Sequence, residues 1–355
     1  MKADAAGKEA PKRRRASGLG RAKTTLAQVS KAAGVSTATV SRMLNSPAQV
    51  NEATRRLIQR EIDRLGYTAN GAARALAFRQ SRTIGAIIPS INNLLSAKVL
   101  DGFQRVMERE GYELLLSSFE QDPSLILRKA ENFVKRGVDA VFIVSGQHDD
   151  ELYTFLQSRD VPFITTWPAK PERPVPSVSY DYREAALKPV RYLLDLGHRD
   201  FALITGPLGG NQRLRDRHDA VERLLRERGF PLRPDRVIDV GSYDLATSRR
   251  AFQVLCGRGK LPTAVVATND IIAGGVILEC FARGISVPAE VSVVGFGDID
   301  IAAQFSPSIT TVRTPRTELG SLAANYLIRS LRGEDAIDDT TLDVELIVRE
   351  STGSP

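Results

Sequence analysis

From Thr83 onward the chain repeats one pattern: a short run of apolar residues, then a stretch with helical periodicity. The apolar runs are Thr83–Pro89, Tyr112–Phe119, Ala140–Ser145, Pro162–Trp167, Phe201–Gly206, Val237–Val240, Thr263–Thr268 and Val291–Phe296. Between the first two, Ser96–Glu110 carries Val99, Leu100, Phe103 and Val106 on one side. Strands that are apolar along their length have no solvent face, so they belong in parallel sheets covered by helices on both sides. Eight or more strands over about 270 residues fit two doubly wound units better than one. A helix starting near Arg183 reads as the first crossing between two lobes, and Thr310–Pro315 as the return. The pattern therefore predicts a body over 83–350, with lobe 1 at about 83–181 and 315–335 and lobe 2 at about 182–314 and 336–350.

The first 82 residues follow a different rhythm. Thr25 can cap a short helix, with Gln28 as its capping-box partner. Gly34 supplies a tight turn, and Ser36 can cap a second helix, Thr37 to Asn45. Four-residue spacing puts Val40 and Leu44 on its inward face. Ala38 and Arg42 point the opposite way, with Ser41 beside them and Thr37 at the helix start. Asn51 can cap a third helix, closed by Gly66, whose Leu57, Ile58, Ile62 and Leu65 cover the first two. A short helix, a glycine turn and a helix with a small polar outer face predict an all-α helix-turn-helix domain at 24–66.

Charge separates the same two regions. Residues 1–82 hold 17 Lys and Arg against 5 Asp and Glu; of the chain's 49 and 42, that leaves 32 against 37 for the body. A basic helical segment on a near-neutral body is the footprint of a phosphate-binding module. Residues 1–23, with the run Lys12-Arg13-Arg14-Arg15, predict a disordered basic arm, either a solubilising tail or an aid to non-specific DNA affinity. Residues 67–82 read as a hinge, in which Asn70 could cap a marginal fourth helix.

The segment Ala32-Ala33-Gly34-Val35-Ser36-Thr37-Ala38-Thr39-Val40-Ser41-Arg42, then Leu44-Asn45, Thr54-Arg55 and Leu65-Gly66-Tyr67, closely resembles the DNA-binding headpiece of the lactose-repressor/galactose-repressor family of bacterial transcription regulators. The resemblance implies that the hinge becomes helical on DNA and that Leu76 wedges into the minor groove. This chain has Ala69 where relatives usually have proline. The resemblance extends over the body and implies the two-lobed α/β fold of periplasmic sugar-binding proteins, with a ligand cleft between the lobes.

In open parallel sheets, ligands sit beyond the carboxyl ends of the strands. The residues just past each run include Trp167, Asp181, Arg217, Asn269-Asp270 and Asp298, a set suited to a polyhydroxy ligand. Each also has a plain structural reading: Arg217 in an internal ion pair, Asn269 capping its helix, Trp167 in the core. The resemblance maps the family's effector-binding arginine onto Arg217 and its Asn-Asp pair onto Asn269-Asp270. Its Gly-aromatic-Asp-Asp becomes Gly295-Phe296-Gly297-Asp298, so the first acid is glycine. Its Asn-Pro-Phe-Phe becomes Asn93-Leu94-Leu95-Ser96, without the aromatic clamp. These departures turn the expectation from an ordinary aldohexose toward a sugar acid, a smaller carboxylate or another polar metabolite, with Arg217 pairing a carboxylate.

Gly206-Pro207-Leu208-Gly209-Gly210 lacks the lysine spacing of a phosphate loop, and His148, His198 and His218 have no serine elbow or cysteine partner. Two cysteines and three histidines suggest no metal-ligand cluster. No apolar run approaches the ~20 residues of a membrane span, and no secretory signal follows the basic start. The expectation is a cytoplasmic, homodimeric, non-enzymatic repressor without a cofactor. Thr37, Ala38 and Arg42 would meet bases of a palindromic operator, Thr25 and Ser41 its phosphates, and a small effector would control binding. The alternative is an enzyme acting on a small polar metabolite on the same α/β body.

Overall fold

Three side-chain caps start the helices of the first unit. Thr25 accepts the Gln28 N–H at 3.3 Å while Gln28 accepts the Thr25 N–H at 2.8 Å, opening α1 (Leu26–Ala32). Ser36 accepts the Thr39 N–H at 3.1 Å, opening α2 (Thr37–Asn45). Asn51 accepts the Thr54 N–H at 2.8 Å, opening α3 (Glu52–Leu65). Each cap satisfies an N–H that the first helical turn leaves without a partner. Gly34 turns between α1 and α2 at φ +64°, and Gly66 ends α3 at φ +59°, both in the left-handed region that a side chain disfavours. Val29, Ala33, Val40, Met43, Val50 and Ile58 form the core. The helical pattern is off at two places: Met43 is buried where Leu44 is only half-buried, and Leu57, expected inward, is exposed.

This computed structural model describes residues 24–68, 80–91, 94–120, 122–144, 150–166, 175–209, 212–334 and 339–355. The expected arm 1–23, together with Asn70, Leu76, Asn93 and Trp167, lies outside them. The chain divides into two compact units between Arg79 and Gln80.

The second unit contains the two sheets that the apolar runs predict. The first half supplies β1 (Thr83–Ile88), α4 (Leu94–Arg109), β2 (Glu113–Ser118), α5 (Leu125–Lys135), β3 (Ala140–Ile143), α6 (Asp150–Ser158), β4 (Phe163–Thr166) and β5 (Ser177–Tyr180). The chain then crosses into α7 (Tyr182–Asp195), β6 (Phe201–Thr205), α8 (Gln212–Glu227), β7 (Val237–Asp239), α9 (Leu245–Cys256), β8 (Ala264–Ala267), α10 (Asp270–Arg283) and β9 (Ser292–Val294). It returns through β10 (Thr311–Arg313) to α11 (Arg316–Leu331), β11 (Asp339–Leu342) and β12 (Glu345–Ile347). The second sheet runs β7-β6-β8-β9, all parallel.

One expected boundary needs correction. The pattern puts 336–350 in the second lobe, yet β11 lies parallel to β5, Thr340 beside Val178, at the edge of the first sheet, whose order is β11-β5-β4-β3-β1-β2. Only after Leu342 does the chain cross again, as β12 pairs antiparallel with β10 and Ser351 then bonds Val293 of the second lobe in both directions. A strand of Asp-Thr-Thr-Leu has no apolar run to declare its sheet.

α11 returns into the first lobe by lying directly on α4. A Cβ at Gly320 would stand 1.9 Å from the Val99 carbonyl oxygen, and one at Gly102 1.9 Å from that of Thr317. The contact is backbone to backbone, so no side chain there can move aside. Phe103 of α4 stacks on Phe142 of β3 with ring centroids 4.4 Å apart, inside a core that also takes in Phe296 and Val312 of the crossing region.

Candidate DNA interface and effector cleft

Burial of Val40 and Met43 fixes how α2 is turned. Thr37, Ala38 and Arg42 are left exposed on its outer face, as the four-residue spacing predicts. Ser41 is half-buried, and its carbonyl and hydroxyl oxygens lie 2.7 and 3.4 Å from the Asn45 side-chain nitrogen. Thr25 is engaged as the cap of α1. A short rigid helix showing one long cation, one methyl and one hydroxyl can present direct-readout groups to a groove.

In the body, the strand ends bring together residues far apart in sequence. Arg217 of α8 is 7% exposed; its guanidinium lies 3.5 Å over the Phe296 ring and donates to the Thr268 carbonyl at 3.1 Å. Burial pushes its pKa down. Thr268, just past β8, accepts the Gly206 N–H at 3.0 Å, and the Tyr243 ring fills the space where a Cβ on Gly206 would lie. Tyr180 ends β5, packs its ring tilted by 39° against that of Tyr182 with centroids 4.4 Å apart, and receives Arg316 of α11 at 3.4 Å. Arg213 lies 5.7 Å over the Tyr182 ring and 3.4 Å from its hydroxyl. Burial raises the pKa of both Tyr182 and Tyr243, so these phenols stay neutral.

The expected effector residues meet different fates. Arg217 enters the cluster, without the internal ion pair of its plain structural reading among the described residues. Asn269 is buried and caps α10, its side-chain oxygen accepting the Ile271 N–H at 2.8 Å. Asp181 is exposed and caps α7, accepting the N–H groups of Arg183 and Glu184. Asp298 was expected to face a ligand, but its two oxygens are each engaged at 2.7 Å, one by Arg313 and one by Arg349. Burial works to raise its carboxyl, but the bonds from Arg349 and Arg313 outweigh it and hold the pKa below its ordinary value. Asp298 thus ties the crossing strands to the segment after β12. Asp270 is likewise occupied, by the Thr311 hydroxyl and the Ile299 N–H. Its carboxylate explains Gly295: a Cβ there would fall 2.2 Å from the Asp270 oxygen.

Sequence reasoning missed Tyr180, Tyr182, Arg213, Tyr243 and Arg316. The signal for Tyr180 and Arg316 was present, since one ends a strand and the other begins the helix after the return crossing. Among the described residues, His218, Asp219 and Glu222 bring potential ligand atoms within 4.8 Å, a grouping not foreseen. His218 already contacts Asp219 at 3.0 Å, and Glu222 is paired with Arg226. No described helix is long and apolar enough to cross a membrane.

A family model described as bacterial regulatory proteins, lacI family, matches residues 25–70, and a periplasmic binding protein-like domain matches residues 190–352. Catabolite control protein A of Priestia megaterium is 30% identical over 310 residues, covering 87% of this chain and 93% of its own. The HTH-type transcriptional repressor PurR of Vibrio parahaemolyticus is 29% identical over 317 residues, covering 88% and 93%. The fold matches that of the lac repressor dimer bound to operator and the anti-inducer ONPF, at a TM-score of 0.82 and 24% identity, over 93% of this chain and 99% of that one.

Proposed function

Because the chain belongs to the lacI family of bacterial regulatory proteins, we propose that it reads a palindromic operator as a homodimer, and that a small polar metabolite in the body cleft controls that reading. The protein is a DNA-binding transcription regulator, with that family's helical headpiece and α/β effector-binding body. The outer face of α2 carries the DNA reading. Arg42 suits guanine O6 and N7, Ala38 a thymine methyl, and Thr37 either base type. Thr25 and Ser41 position the backbone phosphates. One such face reads few bases, and a two-fold dimer doubles them across half-sites about one helical turn apart.

Leu278 and Phe281, 36% and 83% exposed on the mostly buried α10, are apolar surface suited to the second subunit. The ligand acts by population shift: it favours one lobe arrangement and so alters how the hinge segments, 67–82, order on DNA. Leu76 is the minor-groove wedge of that hinge and Asn70 its cap, and Arg217 and Asn269 bind the effector. The protein works as a cytoplasmic repressor and sensor; turnover of a bound metabolite would replace this reading with the enzyme.

The test is to incubate the full chain with sheared DNA from its own source and sequence what stays bound at moderate salt. A recovered palindrome is the expected result. Uniform recovery of all fragments, with and without a metabolite extract, would defeat specific recognition.

A further inference from the structure

We infer that the effector is an oxyanion, a small metabolite carrying a carboxylate or a phosphate, and that its charge is held by Arg217 of the second lobe and Arg316 of the first. This rests on the regulator reading above and narrows its ligand.

The arginines themselves carry the inference. Arg217 and Arg316 are 7% and 8% exposed, and the Nε of each is buried without a hydrogen-bond partner among the described residues. Among the described residues, neither forms an ion pair; their hydrogen bonds go to the Thr268 carbonyl and the Tyr180 hydroxyl. Both are permanent cations. A buried guanidinium is ordinarily matched by a carboxylate, because removing charge from water without a counter-charge opposes folding.

The same molecule shows the matched case a few residues away, where Arg313 and Arg349 share Asp298. Arg316 also lines a cavity of about 600 Å³ at the crossing, where Asp298 and Glu345 pair with Arg313 and Asp300 with Lys98; the other two acids there, Glu318 and Asp343, form no ion pair with Arg316 among the described residues. The groups whose charge bears most on Arg217 are Tyr180, Tyr243, Tyr182 and Arg316, and no carboxylate is among them. Two of those phenols, Tyr182 and Tyr243, stay neutral, so they can donate hydrogen bonds to an anion but cannot replace one. The hydroxyls of Thr166, at the end of β4, and Thr314, beside the crossing, are also buried without partners among the described residues. An oxyanion offers what this set lacks: negative charge and several acceptor oxygens in a geometry that matches the guanidinium fork. A neutral sugar would leave both charges unmatched.

The test uses the full chain on an operator recovered by selection. A metabolite extract of the source cells is split on an anion-exchange resin, and each fraction is assayed for its effect on operator affinity. The retained, anionic fraction should change affinity by about tenfold or more. Phosphatase treatment then assigns the source: loss of activity means a phosphate ester, survival means a carboxylate. Arg217→Gln and Arg316→Gln should each cut the response about tenfold, while Arg105→Gln, in a surface pair with Asp101, leaves it unchanged.

Activity confined to the neutral fraction would overturn the inference and leave the regulator reading standing. An undiminished response in both variants would also overturn it. Specific operator binding with no response to either fraction would remove the effector reading beneath it. The wild-type fractions decide the charge even if a variant fails to fold.

Discussion

The headpiece and the body both rely on arginine, and they hold it in opposite surroundings. Arg42 stands exposed on α2, in water, where its charge costs folding little and awaits a nucleic acid. Arg217 and Arg316 are buried, each with an Nε unpartnered among the described residues, where the charge opposes folding until something matches it. An exposed cation is weak evidence for any one ligand, because water already satisfies it. A buried unmatched cation is strong evidence, because little else accounts for its place.

The contrast can be broken at several points. The largest effect belongs to the body's packing: Gly320→Ala forces a methyl onto the Val99 carbonyl and should destabilise the body by about 3 kcal/mol or more. Denaturant unfolding measures this, and a loss under about 1 kcal/mol would mean that α11 shifts freely on α4. Next, Arg42→Ala should weaken specific operator binding by about 1–3 kcal/mol and relax preference at one base, with unchanged melting of the body. Equal weakening on every sequence, in a salt-dependent titration, would make Arg42 a phosphate contact like those assigned to Thr25 and Ser41.

Removing a cap comes third: Ser36→Ala should cost the headpiece about 1 kcal/mol, read from its own thermal transition, with no change in the body. The smallest effect is electrostatic. His198 is buried between Thr263, Ser292 and the Gly353 carbonyl, and burial lowers its pKa. A depressed histidine must gain its proton against the fold. Its contribution is therefore complete above its unfolded pKa of about 6.5 and is lost as pH falls through that value toward the folded one. Comparing wild type with His198→Asn between neutral and mildly acidic pH isolates the slope; identical curves would show that His198 does not titrate against folding.

Legibility in the sequence followed the range of the interaction. Thr25, Ser36 and Asn51 lie within three residues of the N–H groups they cap, so spacing alone found them. The outer face of α2 followed from periodicity, but Leu57 and Met43 did not, because the edge of a buried stripe depends on what packs against it. Asp181 and Asp298 were rightly seen at strand ends, where ligands bind, but position could not show that one is taken up by a helix start and the other by two arginines.

The sequence by itself determined the kind of protein: a basic helix-turn-helix unit and a body of two parallel-sheet α/β lobes. Those features come from local periodicity, capping and summed charge, which neighbouring residues set among themselves. Only the tertiary structure decided which charges are spent and which remain unmatched. Arg313 and Arg316 stand three residues apart on one crossing, yet one meets Asp298 and the other meets Tyr180. The sheets and crossings bring in those partners from 15 and 136 residues away, a choice that no local rule contains.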